Sequence, residues 1–103
     1  MDLLEKLHQV HLKFEGLERD LSDPGIASDM DRLRTLSKEK RQLEPIEEAY
    51  QRYSRMMRDL AGAREVLQET HDPEMRALAE DEMHSLEAET AAMEEKVKIL
   101  LIP

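Results

Sequence analysis

Apolar residues recur along residues 3–21 at alternating spacings of four and three. The residues in this pattern are Leu3, Leu7, Val10, Phe14, Leu17 and Leu21. This spacing places all of them on one face of an α-helix, as in a coiled coil. The tetrapeptide SDPG at 22–25 predicts the end of this helix, because Pro24 and Gly25 do not continue it. Ser28 with Asp31 is then predicted to cap the next helix.

A second pattern of the same kind extends from about Asp29 to Thr70. Its members are Leu33, Leu36, Lys40, Leu43, Ile46 or Glu47, Tyr50, Tyr53, Met57, Leu60 and Leu67. Pro45 lies in the middle, where a proline costs a helix about 3 kcal/mol. It could end the helix at Glu44. However, the spacing continues past Pro45 without a shift, and a turn would normally reset it. We therefore predict one long helix that bends near Pro45.

A third helix is predicted to start in the segment HDPEM, residues 71–75. Asp72 is the predicted N-cap, Pro73 occupies the first helical position, and Glu74 lies near the positive end of the helix dipole. The predicted buried stripe is Met75, Leu78, Ala79, Met83, Leu86, Met93, Val97 and Leu100. Together the three patterns predict an all-α fold. It is an antiparallel three-helix bundle with two long coiled-coil-like helices and a shorter N-terminal helix, forming a single domain over residues 1–103.

The composition supports long helices and limits the chemistry. Only 3% of the residues are aromatic, and the absence of cysteine excludes disulfides, thiolate zinc sites and cysteine nucleophiles. No apolar run approaches the roughly 18–20 residues that span a bilayer, so we expect no membrane partner. The lack of cysteine fits a reducing compartment, and we expect a cytoplasmic protein. The net charge is −9. Residues 72–103 carry nine acids and three bases, whereas residues 29–70 carry nine of each.

Candidate chemical groups are few. His8 and His11 lie one helical turn apart, with Glu15 a further turn on, and a metal site could be drawn from them. His71 and His84 show no matching spacing, so solvated histidines beside the apolar face are preferred. The acids at 80–82 point in different directions from one helix. The glycines are isolated, so no phosphate-binding loop is predicted. We predict no catalytic residue, no metal site and no cofactor.

The segment RLRTLSKEKR at 32–41 is the one charge feature that suggests a binding site. Its candidate contact residues for RNA or the ribosome are Arg32, Arg34, Lys38, Lys40 and Arg41. One interpretation is a solvated helix face whose cations pair with Glu39 and Glu44. The other is contact with RNA phosphates at one end of an otherwise acidic bundle. No aromatic residue lies beside the segment to stack on bases.

Four segments resemble the N-terminal region of bacterial class I peptide chain release factors. These segments are LSDP at 21–24, DRLRTLSKEKRQLEPIEEAY at 31–50, DPEMRALAEDE at 72–82 and KVKILLIP at 96–103. The resemblance covers essentially the whole chain and keeps the order and spacing of its segments. The combination of DPEMR with a terminal KILL-P is its most specific part. The sequence resembles the branch that reads UAG and UAA more closely than the branch that reads UGA and UAA.

The resemblance implies the helical N-terminal domain of a longer factor that directs translation termination. In that family, a Gly-Gly-Gln motif in a later domain triggers peptidyl-tRNA hydrolysis, and a Pro-x-Thr tripeptide helps to read the stop codon. Neither motif occurs here. No catalytic or codon-reading residue can therefore be assigned, and the chain alone is expected not to be an enzyme. The implied partner is the ribosome, at the factor-binding region near the base of the large-subunit stalk, with its rRNA and protein.

The apolar end of the chain also requires an explanation. Val97 and Leu100 continue the third stripe, but Ile99, Leu101 and Ile102 fall outside it. We expect these three to be partly exposed, or covered by another copy of the chain, where a longer protein would continue into its next domain. The competing hypothesis is an independent coiled-coil adaptor, or self-associating structural module, that forms a homo-oligomer through its apolar stripes.

Overall fold

The computed structural model describes residues 2–103, which form three α-helices and no strand. Helix α1 is Leu3–Leu21, α2 is Met30–Glu69 and α3 is Pro73–Leu100, with a 3-10 helix at Pro24–Ser28 between α1 and α2. The predicted all-α helical bundle is therefore confirmed. Among the described residues, no helix is both long enough and apolar enough to cross a membrane.

Local capping explains where α1 and α3 begin. The Asp2 carboxylate accepts a hydrogen bond from the Glu5 backbone N–H at 2.8 Å. The Asp72 carboxylate accepts one from the Glu74 N–H at 3.2 Å, as the sequence predicted. Each aspartate satisfies one of the backbone donors that a helix leaves unpaired at its first turn.

The predicted cap of α2 is wrong by one residue. The Asp29 carboxylate, and not the Ser28 hydroxyl, accepts the hydrogen bond from the Arg32 N–H, at 3.1 Å. Ser28 belongs to the 3-10 helix, and its hydroxyl donates to the Gly25 carbonyl at 2.8 Å. Because the serine side chain is committed to that turn, the following aspartate caps α2.

Helix α2 continues through Pro45 over its whole length. The prediction of one helix rather than two is therefore confirmed. Pro45 has no N–H to donate to the carbonyl four residues before it, which removes one bond from the helical ladder. The packing of the apolar positions on both sides of the proline offsets this cost, as their uninterrupted spacing indicated.

The chain divides into two compact units, of which the first extends to Tyr50. In this unit α1 runs antiparallel to the first part of α2: His11 contacts Glu47, whereas Glu18 lies opposite Lys40. Its buried side chains are Leu7, Phe14, Leu17 and Ala49. The other members of the α1 stripe are half-buried, so the predicted face is the one that packs.

The second unit, Gln51–Ile102, pairs the rest of α2 with α3. The pairs Tyr53 with Glu94 and Arg64 with Glu87 show that these two segments are also antiparallel. Its buried residues are Tyr53, Leu60, Ala63, Ala79, Leu86, Thr90, Met93 and Val97.

Two members of the predicted α3 stripe are exposed. Met75 is 48% exposed and Leu78 is 71% exposed. Leu78 lies to one side of the line through Ala79, Met83 and Leu86 that faces α2, whereas Met75 lies on that line but in the first turn of α3. The prediction that these two side chains are buried is wrong. At the other end of α3, Ile99 and Ile102 are each 69% exposed, as expected for residues outside the stripe.

Candidate functional site

The basic segment at 32–41 forms the start of α2, and the helical period separates its cations into two groups. Arg34, Lys38 and Arg41 follow one another at spacings of four and three, so they share one face of the helix. All three side chains are exposed. The stretch from Arg34 to Arg41 rises by about 10 Å along the helix axis. We call these three residues the basic face.

The other two candidate cations are oriented toward α1. Arg32 Nη2 lies 3.8 Å from a carboxylate oxygen of Asp20, and Lys40 Nζ lies 3.9 Å from Glu18. Lys40 Nζ also lies 5.7 Å from the centroid of the Phe14 ring, close enough for a cation–π contact. These two cations therefore face α1, although ion pairs of this length and exposure contribute little to stability.

The basic face lacks such partners. Within residues 2–103, none of its three cations forms an ion pair, and the predicted pairs with Glu39 and Glu44 are not formed. Three unpaired cations on one rigid helix are suited to a polyanion such as an RNA backbone, whose phosphates accept hydrogen bonds from Lys and Arg. The structure thus brings together three of the five contact residues predicted from the sequence and places Arg32 and Lys40 elsewhere.

The histidines at 8 and 11 connect α1 to α2 and are not simply solvated. His8 Nδ1 and the Tyr50 hydroxyl are 2.9 Å apart. His11 Nδ1 lies 2.8 Å from Glu47 Oε1, and its Nε2 lies 3.3 Å from Glu15. Over the described residues, no group of three or more His, Asp or Glu side chains is arranged to hold a metal ion.

The motif DPEMR has a structural role in the second unit. Arg76 Nη1 donates hydrogen bonds to the carbonyls of Leu67 and Thr70, at 2.6 and 3.0 Å. These carbonyls belong to the last turn of α2 and the residue after it, where a helix leaves its acceptors unpaired. The arginine therefore ties the end of α2 to the start of α3, beside the Asp72 cap.

A surface that the sequence patterns did not predict lies in the second unit. The helices α2 and α3 leave a solvent-open groove of about 470 Å³, which we call the α2–α3 groove. Its lining includes Gly62, Val66, Met75 and Leu78. The sequence contains one usable signal for it. Leu78 is adjacent to Met75 on the helix, but it lies beside the main α3 stripe and not on it.

The fold defines an all-α helical module, and the basic face is its candidate binding surface. Comparison with known families then identifies it: the PCRF domain family matches residues 10–103. Because this match covers most of the chain, the chain belongs to the PCRF domain family.

Curated relatives agree with this assignment. The chain is 39% identical over 101 residues to peptide chain release factor 1 of Chlorobaculum tepidum, covering 98% of this chain and 28% of that protein. It is 39% identical over 102 residues to peptide chain release factor 1 of an Anaeromyxobacter species, covering 99% of this chain and 27% of that protein. The identity to peptide chain release factor 1 of Bacillus cereus is 36% over 101 residues, covering 98% of this chain and 28% of that protein.

The chain thus spans little more than a quarter of the length of these relatives. No solved structure gives a significant match to it.

Proposed function

We propose that this chain is the N-terminal helical domain of a peptide chain release factor of the UAG- and UAA-reading branch. The observation that carries the proposal is the 39% identity to two release factors over nearly the whole chain. The proposed role is to dock the factor on the ribosome, near the base of the large-subunit stalk, while later domains read the codon and trigger hydrolysis. The chain lacks Gly-Gly-Gln, so we expect it to release no peptide on its own.

The basic face is the proposed contact with rRNA in this role. Its three exposed cations are unpaired among the described residues, so binding a phosphate does not require breaking an existing ion pair. Arg32 and Lys40 already face Asp20 and Glu18. They would have to leave those acids before they could bind RNA.

Two variants of identical composition test the basic face. R34Q/K38Q removes one Arg and one Lys from it, and R32Q/K40Q removes one Arg and one Lys that face α1. Binding to an rRNA fragment from the stalk base is measured by fluorescence anisotropy over a range of salt concentrations. We expect R34Q/K38Q to weaken binding and to reduce the slope of log K against log salt by about 1.5, because two phosphate contacts are lost.

The matched control decides how the result is interpreted. R32Q/K40Q should retain most of the affinity and most of the salt slope. Equal losses in both variants would mean that the RNA responds only to net charge. Unchanged binding in R34Q/K38Q would exclude the basic face as the contact, while leaving the family assignment intact.

The alternative function is that of a self-associating coiled-coil adaptor. The exposed aliphatic side chains of Leu78, Ile99 and Ile102 favour it, because exposed apolar surface promotes association. Sedimentation velocity over a hundredfold concentration range distinguishes the two functions. A monomer at all concentrations would exclude the adaptor.

A further inference from the structure

The α2–α3 groove combines a small-residue floor with exposed aliphatic walls. Ala63 and Ala79 form the floor and are 4% and 5% exposed. Met75 and Leu78 stand at the side of the groove and remain accessible. Because each alanine carries only a methyl group, the two helices leave a space that larger core residues would fill. Side chains of a partner could occupy it.

Gly62 keeps the α2 side of the groove open. A Cβ atom placed on Gly62 would meet no atom within 4 Å, so no packing contact within the chain requires a glycine here. Glycine in an exposed helix interior costs roughly 0.5–1 kcal/mol relative to alanine. Its lack of a side chain allows the backbone of a partner to approach α2 closely.

The charges around the groove are predominantly acidic. Asp59 and Glu82 line it together with one base, Arg58. The base in this part of α3, Arg76, is already engaged in hydrogen bonds to the last carbonyls of α2. The acids near the groove are therefore left without a compensating cation from α3.

We propose that the α2–α3 groove binds an amphipathic α-helix of a protein partner, with aliphatic side chains on one face flanked by Lys or Arg. The aliphatic side chains would fill the space above the alanine floor, and the cations would face Asp59 and Glu82. An amphipathic helix in a groove between helices is an established mode of protein recognition. An RNA backbone does not fit the same surface, because its phosphates would face carboxylates. This site lies in the second unit and does not depend on the basic face.

The probe is a fluorescein-labelled helical peptide with Leu on one face and Lys along both flanks. The comparison peptide has Glu in place of every Lys. Anisotropy titrations should show binding of the Lys peptide that weakens from about 50 mM to about 500 mM salt, since exposed charge pairs are screened. The Glu peptide should bind at least about tenfold more weakly at low salt.

Two pairs of variants locate the binding site. L78S removes an exposed aliphatic side chain from the groove, and L12S removes one from α1 that is 52% exposed. Both side chains are largely solvated, so neither change should unfold the chain. L78S should weaken binding of the Lys peptide about tenfold, the effect expected when a central apolar contact is lost. L12S should leave the affinity unchanged. E82Q should weaken binding of the Lys peptide. E48Q changes a residue of α2 outside the groove and should leave the affinity unchanged.

Several outcomes would overturn the proposal. Equal affinity for the Lys and Glu peptides would contradict the proposed charge complementarity. Equal effects of L78S and L12S would show that the peptide does not bind in the groove. If the unmodified chain sediments as a dimer and the L78S variant as a monomer, the occupant of the groove is a second copy of the chain. Loss of stalk-base RNA binding in L78S, with the Lys peptide unaffected, would identify RNA.

Discussion

Thr90 places a hydroxyl group inside the core of the second unit. The residue is 6% exposed, and its Oγ1 has no hydrogen-bond partner among the described residues. It occupies the α3 turn between Leu86 and Met93, where the apolar stripe has a gap. A buried hydroxyl without a partner costs free energy, because it has lost its bonds to water.

Replacing Thr90 with Val should therefore stabilise the chain. Valine keeps the β-branched shape and has a similar helix propensity, so the removal of the hydroxyl is the main change. We expect the free energy of unfolding in urea to rise by about 1 kcal/mol. T35V is the control, since the Thr35 hydroxyl is exposed and donates to the Asp31 carbonyl at 3.0 Å. A decrease in stability for T90V would mean that the hydroxyl finds a partner in solution.

At the scale of single elements, α2 shows a conflict between a local preference and the pattern around it. Pro45 disfavours a helix, yet α2 continues through it because the apolar positions before and after it remain on one face. Pro45 should therefore lower the free energy of unfolding of the folded chain. Pro73 presents no such conflict, because the first turn of α3 requires no N–H at that position.

Replacing Pro45 with Ala should stabilise α2. The substitution restores the N–H that bonds to the carbonyl four residues before it, and it removes the steric conflict of the ring. We expect a gain of about 2 kcal/mol, because the greater freedom of the unfolded chain offsets part of the benefit. In P73A the change should stay within about 0.5 kcal/mol. Urea unfolding of both variants is the measurement, and equal effects would contradict this account of α2.

The sequence predicted the features that depend on neighbouring residues, and it missed those that depend on contacts with other elements. The cap at Asp72 and the continuity of α2 follow from neighbouring residues and a regular spacing, and both were predicted. The cap at Asp29 was missed because the 3-10 helix before it engages Ser28. The exposure of Leu78 was missed because it depends on where α2 lies against α3.

The candidate site shows the same limit. The sequence places five cations within residues 32–41, but it does not show which of them are paired. That distinction depends on Asp20 and Glu18, which α1 brings against α2 only after the chain has turned back. The grouping of Arg34, Lys38 and Arg41, in contrast, follows from the helical period alone and is contained in the sequence.

At the scale of the whole molecule, the charge is unbalanced along the chain. The net charge is −9, and residues 72–103 contribute nine acids against three bases. The ion pairs of α3 that could offset this repulsion are exposed, such as Arg64 with Glu87 at 4.0 Å and Lys98 with Glu95 at 3.1 Å. Exposed pairs of this kind contribute little to stability. Repulsion between carboxylates should therefore outweigh attraction in the folded chain.

Added salt should consequently stabilise the protein at neutral pH. Raising sodium chloride from about 10 mM to about 200 mM shortens the Debye length from about 30 Å to below 10 Å, which screens the repulsion between acids on α3. We expect the melting temperature, followed by circular dichroism, to rise by about 3–5 °C. The variant E80Q/D81N/E82Q, which removes three of these acids, should melt higher at low salt and depend less on salt. A melting temperature that falls with salt would mean that the ion pairs, and not the repulsion, dominate the electrostatics of this fold.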